Sequence, residues 1–331
     1  NWTRRTARCR HWRLFRMNYR ESRSRLVEKN KGVRDKRTTL TEAVKLIHDG
    51  DHVAIGGLQY TRTPMGVIWE IIRQRKKDLT FYKTLLSFEG DWRYVSGAMR
   101  KAVTSWFSGG VSWGVSKIMR SYAEADPSSF EEWSLLGLSL RFRAGAMGLP
   151  CIPAKSMIGS DLEKTLDLKR FKCPYSGEDL GLGPAVNPDV AIIHAQGADK
   201  FGNAQIFGPP CMDAEIAKAA NHVILTTEQL VDNEDIRDNP NLTAIPFFCV
   251  DAVVELPYGC YPHECYGLYE PAYASLGEYG QGLLKAEDKM EFVRGYLEKY
   301  FYSPNDFEDY LSLFGVKSLL ETTRKGRIWK P

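Results

Sequence analysis

Asp49-Gly50-Asp51-His52-Val53-Ala54-Ile55-Gly56-Gly57-Leu58-Gln59-Tyr60-Thr61-Arg62-Thr63-Pro64 is the stretch on which the fold turns. Its run His52-Val53-Ala54-Ile55 predicts a short buried strand. Gly56-Gly57 lets the backbone turn sharply and lets a ligand approach main-chain N–H groups, at the carboxyl edge where open α/β sheets bind. By itself the double glycine is weak evidence and reads first as a tight strand-to-helix connection. Pro64 suits the first turn of a helix running through Ile72. Just upstream, Thr39-Leu40-Thr41-Glu42 reads as a capping box for a helix carrying Leu40, Ala43, Val44 and Ile47, ended by His48-Asp49-Gly50.

Strand and helix continue to alternate away from this stretch. Strands are expected near 79–85 and 102–107, a helix after Gly90 and a longer one over 133–147. Residues 190–194 and 223–226 read as central strands, 247–256 as a β-rich run and 287–300 as a helix. This order implies an α/β fold: an open, mostly parallel sheet with helices on both faces and an α-rich C-terminal end. No fixed-period repeat or Gly/Ser-rich linker interrupts it, so residues 37–325 are expected to form one domain.

Bulk composition narrows the function. With 331 residues, 43% of them hydrophobic, the chain can bury a sizeable core. No apolar run reaches the roughly eighteen residues of a membrane span. Residues 1–37 hold 14 Lys+Arg against 3 Asp+Glu, a balance of +11 within a chain total of +4, so the remaining 294 residues carry −7. The basic excess lies in an irregular segment, not on folded elements with aromatic platforms, which argues against a nucleic-acid reader. Residues 1–36 are expected to be a disordered, dispensable tail. Within it, residues 1–16 precede Met17 and read as upstream sequence, the alternative being an Arg-rich targeting peptide. Seven Cys without a C-x-x-C pair suggest a reducing cytoplasm. Cys260, His263 and Cys265 lie close in sequence but lack a second ligand pair, so no metal is expected.

Two further segments carry information. In His194-Ala195-Gln196-Gly197-Ala198-Asp199-Lys200-Phe201-Gly202-Asn203-Ala204, Asp199 can bond backbone two residues on and Gly202-Asn203 tolerates positive φ, which makes a turn. The other is Cys249-Val250-Asp251-Ala252-Val253-Val254-Glu255-Leu256-Pro257-Tyr258-Gly259, continuing to Cys265-Tyr266-Gly267-Leu268-Tyr269.

Together with residues 49–64, these segments resemble the A-type subunit of family I coenzyme A transferases. The signature of that subunit type is an Asp-Gly pair, two variable residues, three aliphatics, Gly-Gly-Phe, three residues, Gly, one residue and Pro. Leu58 stands in place of its Phe and Arg62 in place of the Gly two residues before its Pro. Arg62, the Val-Asp-Ala-Val-Val run, Pro-Tyr-Gly and Cys-Tyr-Gly-Leu-Tyr are similar to the glutaconate-type α subunit. Gly90-Asp91-Trp92 and residues 143–150 extend the resemblance over roughly residues 37–320.

The resemblance implies a coenzyme A thioester as substrate, no permanently bound cofactor, and a β-type partner subunit in a hetero-oligomer of αβ pairs. The partner would supply a nucleophilic Glu from a Ser-Glu-Asn-Gly-like motif, which this sequence lacks. This chain would contribute a wall of the cleft: Gly56, Gly57, Arg62, Glu89, Gly90, Ser108 and Gly109. Arg62 is expected to read the distal carboxylate of a dicarboxylic acid such as glutaconate or glutarate, the alternative being a surface ion pair. Glu132 would be catalytic only if the protein is a hydrolase, like the related ring-cleaving enzymes. A methylglutaconyl coenzyme A decarboxylase shares the scaffold, and a non-catalytic binding protein stays open.

Overall fold

The computed structural model describes residues 19–110 and 113–328. Nine strands form one sheet: β1 (His52–Ile55), β2 (Leu79–Tyr82), β3 (Met99–Thr104), β4 (Phe130–Glu132), β5 (Val190–Ala198), β6 (Ala204–Gln205), β7 (His222–Leu230), β8 (Thr243–Ile245) and β9 (Ala252–Glu255). Seven pair in parallel in the order β9-β7-β5-β1-β2-β3-β4, with Val53 opposite Val190 and Phe81, and Leu225 opposite Val253. β6 and β8 extend the far end of β5 in antiparallel fashion.

Every residue of β5 is buried, as expected of a strand covered on both faces. Val53 and Ile55 point into one core and Ala54 into the other. The first face is covered by α3 (Met65–Arg73) and α4 (Glu89–Val95), which follow α1 (Tyr19–Glu28) and the short α2 (Leu40–Val44). On the second face lie α6 (Leu135–Met147), which follows α5 (Lys117–Ala125), and α7 (Asp213–Ala219). Ser134 caps α6 by accepting from the Gly137 amide at 2.9 Å, and Gly148 closes it at φ +72°.

The α-rich end consists of α8 (Tyr273–Lys285), α9 (Lys289–Leu297), α10 (Phe307–Ser312) and α11 (Val316–Gly326). It is held to α4 by aromatic rings: Trp92 stacks on Tyr296 at 5.4 Å and meets Tyr279 edge-on at 5.5 Å. No helix among the described residues is long and apolar enough to cross a membrane.

Two expectations need correction. Residues 19–36 are ordered against the domain: Tyr19 donates to the Gly148 carbonyl, and Lys29 pairs with Asp251 at 2.7 Å. Lys36 donates its amide to Lys200 O at 2.9 Å and its ammonium to Phe247 O at 2.5 Å. Residues 1–18 lie outside the described residues. The β-rich run 247–256 is a strand only over Ala252–Glu255, preceded by a 3₁₀ turn at Phe247–Cys249. Between α6 and β5 the chain also makes a separate antiparallel sheet of Cys151–Ala154, Asp179–Pro184 and Lys169–Lys172.

Candidate functional site

The double glycine lies where its sequence placed it, at the carboxyl end of β1. Gly56 still donates to Ile192 O of β5 at 2.9 Å, after which Gly57 leaves the sheet at φ +72°. A Cβ on Gly56 would fall 2.6 Å from Asp213 Oδ1, and one on Gly57 2.3 Å from the Thr61 carbonyl oxygen. Neither position has room for a side chain. Leu58 and Thr61 exchange both backbone hydrogen bonds, at 2.9 and 2.8 Å, and close a tight loop. Gln59 and Arg62 take left-handed φ values of 51° and 48°.

Asp213, the first residue of α7, locks this loop. Its Oδ1 accepts the Gly57 amide at 2.6 Å and its Oδ2 pairs with the Arg62 guanidinium. Arg62 also donates to Pro209 O at 2.6 Å, and its amide reaches Glu264 O at 3.0 Å. The Arg62 side chain is 0% exposed. It is therefore neither a surface charge nor an open cation facing a substrate: its Nη atoms clamp the turn, and Nε, also buried, has no partner.

A second buried pair lies beneath the loop. Lys83, the residue after β2, donates to Glu89 Oε1 at 2.6 Å, to Thr63 Oγ1 at 2.7 Å and to Gln59 O at 3.2 Å. Glu89 Oε2 accepts the Ser87 amide at 3.0 Å and the Ser87 hydroxyl. Burial pushes the Glu89 carboxyl up, but the Lys83 ammonium and its other positive neighbours outweigh this and hold it at about 2. Burial also pushes Lys83 down. His263, held down to about 3 by burial, is a neutral ring whose Nε2 lies 3.3 Å from Ser87 Oγ and against whose face Tyr60 packs edge-on at 4.9 Å. Its Nδ1 is buried without a partner.

Above these pairs an open groove of about 590 Å³ is lined by Gln59, Tyr60, Trp106, Ser108, Gly109 and Tyr273 among others. Tyr60 joins its two loops by donating to Gly109 O at 2.9 Å. Ser108 Oγ accepts the Gly110 amide at 3.0 Å and donates to Gly114 O at 2.9 Å. Phe88 lies 2.6 Å from where a Gly109 Cβ would be, so only glycine lets this loop rest on that ring. Burial pushes the Tyr60 phenol well above its ordinary value, keeping it protonated.

Of the expected site residues, Ser108 and Gly109 line the groove, while Gly56 and Gly57 do not line it but begin the loop whose Gln59 and Tyr60 do. The structure sets the others elsewhere. Glu89 is fully buried in its ion pair, and a Cβ on Gly90 would meet Met119 Sδ at 2.3 Å, which makes Gly90 a contact between α4 and α5. Glu132 is exposed at the end of edge strand β4, opposite Thr104, and does not line the groove. Its neighbour Glu131 is bound by Lys101 at 2.7 Å and Arg141 at 3.3 Å.

Sequence reasoning missed Asp213, Lys83 and Tyr60, and weighed His263 only as a metal ligand beside Cys260 and Cys265. Lys83 left one signal, a charge directly after the strand run Leu79-Thr80-Phe81-Tyr82. Asp213 left none, because its partner Arg62 is 151 residues away.

Comparison with known proteins places this arrangement. Residues 37–256 match the family model for coenzyme A transferase. An uncharacterized protein of Archaeoglobus fulgidus is 40% identical over 299 residues, which cover 90% of this chain and 66% of that protein. The A-type subunit of glutaconate CoA-transferase from Acidaminococcus fermentans is 33% identical over 304 residues, 85% of this chain and 92% of its own length. The crystal structure of glutaconate coenzyme A-transferase from that organism superposes with a TM-score of 0.80 at 32% identity, over 87% of this chain and 95% of the other. A variant of the decarboxylase AibA/AibB superposes with a TM-score of 0.68 at 29% identity, over 80% and 98%. With the family model matching well over half the chain and a named relative matched across most of both lengths, the chain belongs to the coenzyme A transferase family, as its A-type subunit.

Proposed function

We propose that this chain is one half of a two-chain enzyme that moves coenzyme A between small carboxylic acids, with the nucleophilic carboxylate supplied by a β-type partner. The observation that carries this reading is the state of the carboxylates. Glu89, Asp213 and Glu264, acidic side chains that reach the glycine loop, are bound by Lys83, Arg62 and Thr61, and among the described residues no acidic one lines the groove. A nucleophile must come from outside this wall.

In such a reaction a glutamate carboxylate attacks the thioester carbonyl and expels the coenzyme A thiolate, leaving an acyl anhydride. The thiolate then attacks the enzyme's own carbonyl, releasing the free acid and forming an enzyme thioester, and the acceptor acid reverses both steps. This chain contributes a neutral groove beside a loop too tightly clamped to move as charge develops, so little reorganisation is needed at that wall.

The acids are proposed to be dicarboxylates such as glutaconate or glutarate, with acetyl-coenzyme A as donor. This rests on the likeness to the A-type chain of glutaconate CoA-transferase and not on Arg62, which is already bound. A second reading, decarboxylation of an acyl-coenzyme A, is supported by the TM-score of 0.68 to the decarboxylase AibA/AibB.

The test mixes acetyl-coenzyme A and glutarate with this chain, with a β-type partner, and with both. Glutaryl-coenzyme A should form only with both, and borohydride should trap the thioester on the partner. Robust turnover by this chain alone defeats the proposal, and carbon dioxide release from glutaconyl-coenzyme A by the pair would select the second reading.

A further inference from the structure

Cys260 and Cys265 are close in sequence to His263, but the fold separates them from it. His263 meets Ser87 and Tyr60, while the two thiols are buried in a separate cluster with Tyr261 and Tyr269. There they meet His194 from β5 and Glu228 from β7, and one ligand atom from each of the four residues lies within 4.8 Å of all the others. His194, Cys260 and Cys265 are 0% exposed, and both thiols are free.

We propose that His194, Glu228, Cys260 and Cys265 form a closed structural site for a divalent metal ion of the zinc class. Tetrahedral zinc places its donors about 2.0–2.3 Å from the ion, hence roughly 3.3–3.8 Å from one another, a spacing that fits inside the observed cluster. His194 Nε2 and Glu228 now lie 2.8 Å apart, so only a few tenths of an ångström of opening is needed on that edge. Two sulfurs, one imidazole nitrogen and one carboxylate select zinc over magnesium or calcium, which take oxygen alone. All four positions are filled by protein, the pattern of a structural site and not of a catalytic one.

The surroundings already orient these ligands as a metal requires. The other ring nitrogen of His194, Nδ1, lies 2.8 Å from Thr226 Oγ1, which fixes Nε2 toward the cluster. Glu228 Oε2 accepts the Tyr258 amide at 2.7 Å, and Tyr269 donates its hydroxyl to Oε1 at 2.5 Å while accepting the Cys260 amide at 3.1 Å. A Cβ on Gly259 would lie 2.6 Å from the His194 ring, so the loop can lie flat on the imidazole only with glycine there.

The ion would brace the wall of the groove from behind. The loop that carries both cysteines also carries Glu264, whose carbonyl accepts the Arg62 amide, and His263, which packs against Tyr60. Tying that loop to β5 and β7 ties the glycine loop to the sheet through it. This inference does not depend on which acid is transferred, or on transfer at all.

The test uses the full-length chain, first as purified from zinc-supplemented cells and then after chelation. Elemental analysis should find about one zinc per chain, and zinc alone should raise the melting temperature of the chelated protein. Titration with Co(II) alone should give a thiolate-to-metal charge-transfer band in the near ultraviolet and the intense visible bands of a tetrahedral ion. Cys260→Ser and Cys265→Ser should each weaken that band and lower cobalt affinity by about tenfold or more, while Cys211→Ser, outside the cluster, leaves both unchanged. Tyr269→Phe keeps all four donors and should weaken binding without removing the band, by a factor within about 10–100. Absence of the band in the wild-type chain overturns the site, whatever the variants do. So does a band that survives both serine substitutions, or a metal-free native chain with Cys260 joined to Cys265.

Discussion

Arg62 shows how far a residue's sequence neighbourhood can mislead about its surroundings. In an Arg-bearing loop next to a glycine turn, a guanidinium reads as a reader of substrate or as a solvated charge. In the structure it is wholly buried and bound to Asp213, which in turn holds the Gly57 amide. Removing one member of a buried pair leaves the other unpaired, which costs about 3–5 kcal/mol. Arg62→Met should therefore lower stability by that order in urea unfolding, and Arg62→Met with Asp213→Asn should lose clearly less than the two single losses combined. In the complete enzyme the remaining activity of Arg62→Met should fall by the same factor, within about threefold, for glutarate and acetate. A selective loss for glutarate would restore the guanidinium to the substrate and undo its structural role.

At the scale of the element, what was legible follows from where each element gets its stability. β1, β5 and β7 each open on or contain a short buried apolar run, Val53–Ile55, Val190–Ile193 and Val223–Leu225, so these runs announce the strands and their alternation with helices announces a parallel sheet. α1 carries no such mark. Only Ser22 of its ten residues is buried, and the segment is held by polar contacts far along the chain: Tyr19 to Gly148, and, just past its end, Lys29 to Cys249 O and Asp251. The strand Lys169–Lys172 is fully exposed and three-quarters basic, with no alternation to read. The groove was half legible for the same reason, since glycines declare a turn locally while Glu89 and Arg62 reveal their depth only through Lys83 and Asp213. The ion pair of Lys29, whose side chain is 6% exposed, should count in stability. Lys29→Ala is expected to cost about 1–3 kcal/mol, because Asp251 keeps the Val223 amide at 2.7 Å but loses its cation. Deleting residues 1–36 should lower the melting temperature by several degrees, and an unchanged melting curve for both proteins would return this segment to the status of a tail.

Across the whole molecule, the α-rich end is fastened to the sheet layer at Asp91, and this gives stability a pH dependence with a definite sign. Asp91 of α4 is fully buried and accepts hydrogen bonds from Ser116, the cap of α5, and from Tyr279 of α8 at 3.2 Å. Burial pushes its carboxyl up to about 7, against the opposing pull of those two hydroxyls, and nearby Glu89 pushes the same way. A carboxyl that holds its proton in the folded state up to about 7 but releases it near 3.8 when unfolded favours folding most at low pH. That advantage disappears as pH climbs between the two values and stays absent above the higher one. Glu89 and Glu131, both held at about 2, act in the opposite sense and only below their unfolded range, so they do not mask the trend between pH 4.5 and 7. Asp91→Asn retains a donor and an acceptor for Ser116 and Tyr279 but no longer titrates. Its unfolding free energy should therefore gain on the wild type by about 2–3 kcal/mol from pH 4.5 to pH 7, and the gap should then level off. Urea titrations of the two proteins at half-unit pH steps measure that gap directly. A constant difference across the range would mean that Asp91 is ionised inside the fold, and that water or an unrecognised cation reaches the junction between the sheet layer and its α-rich end.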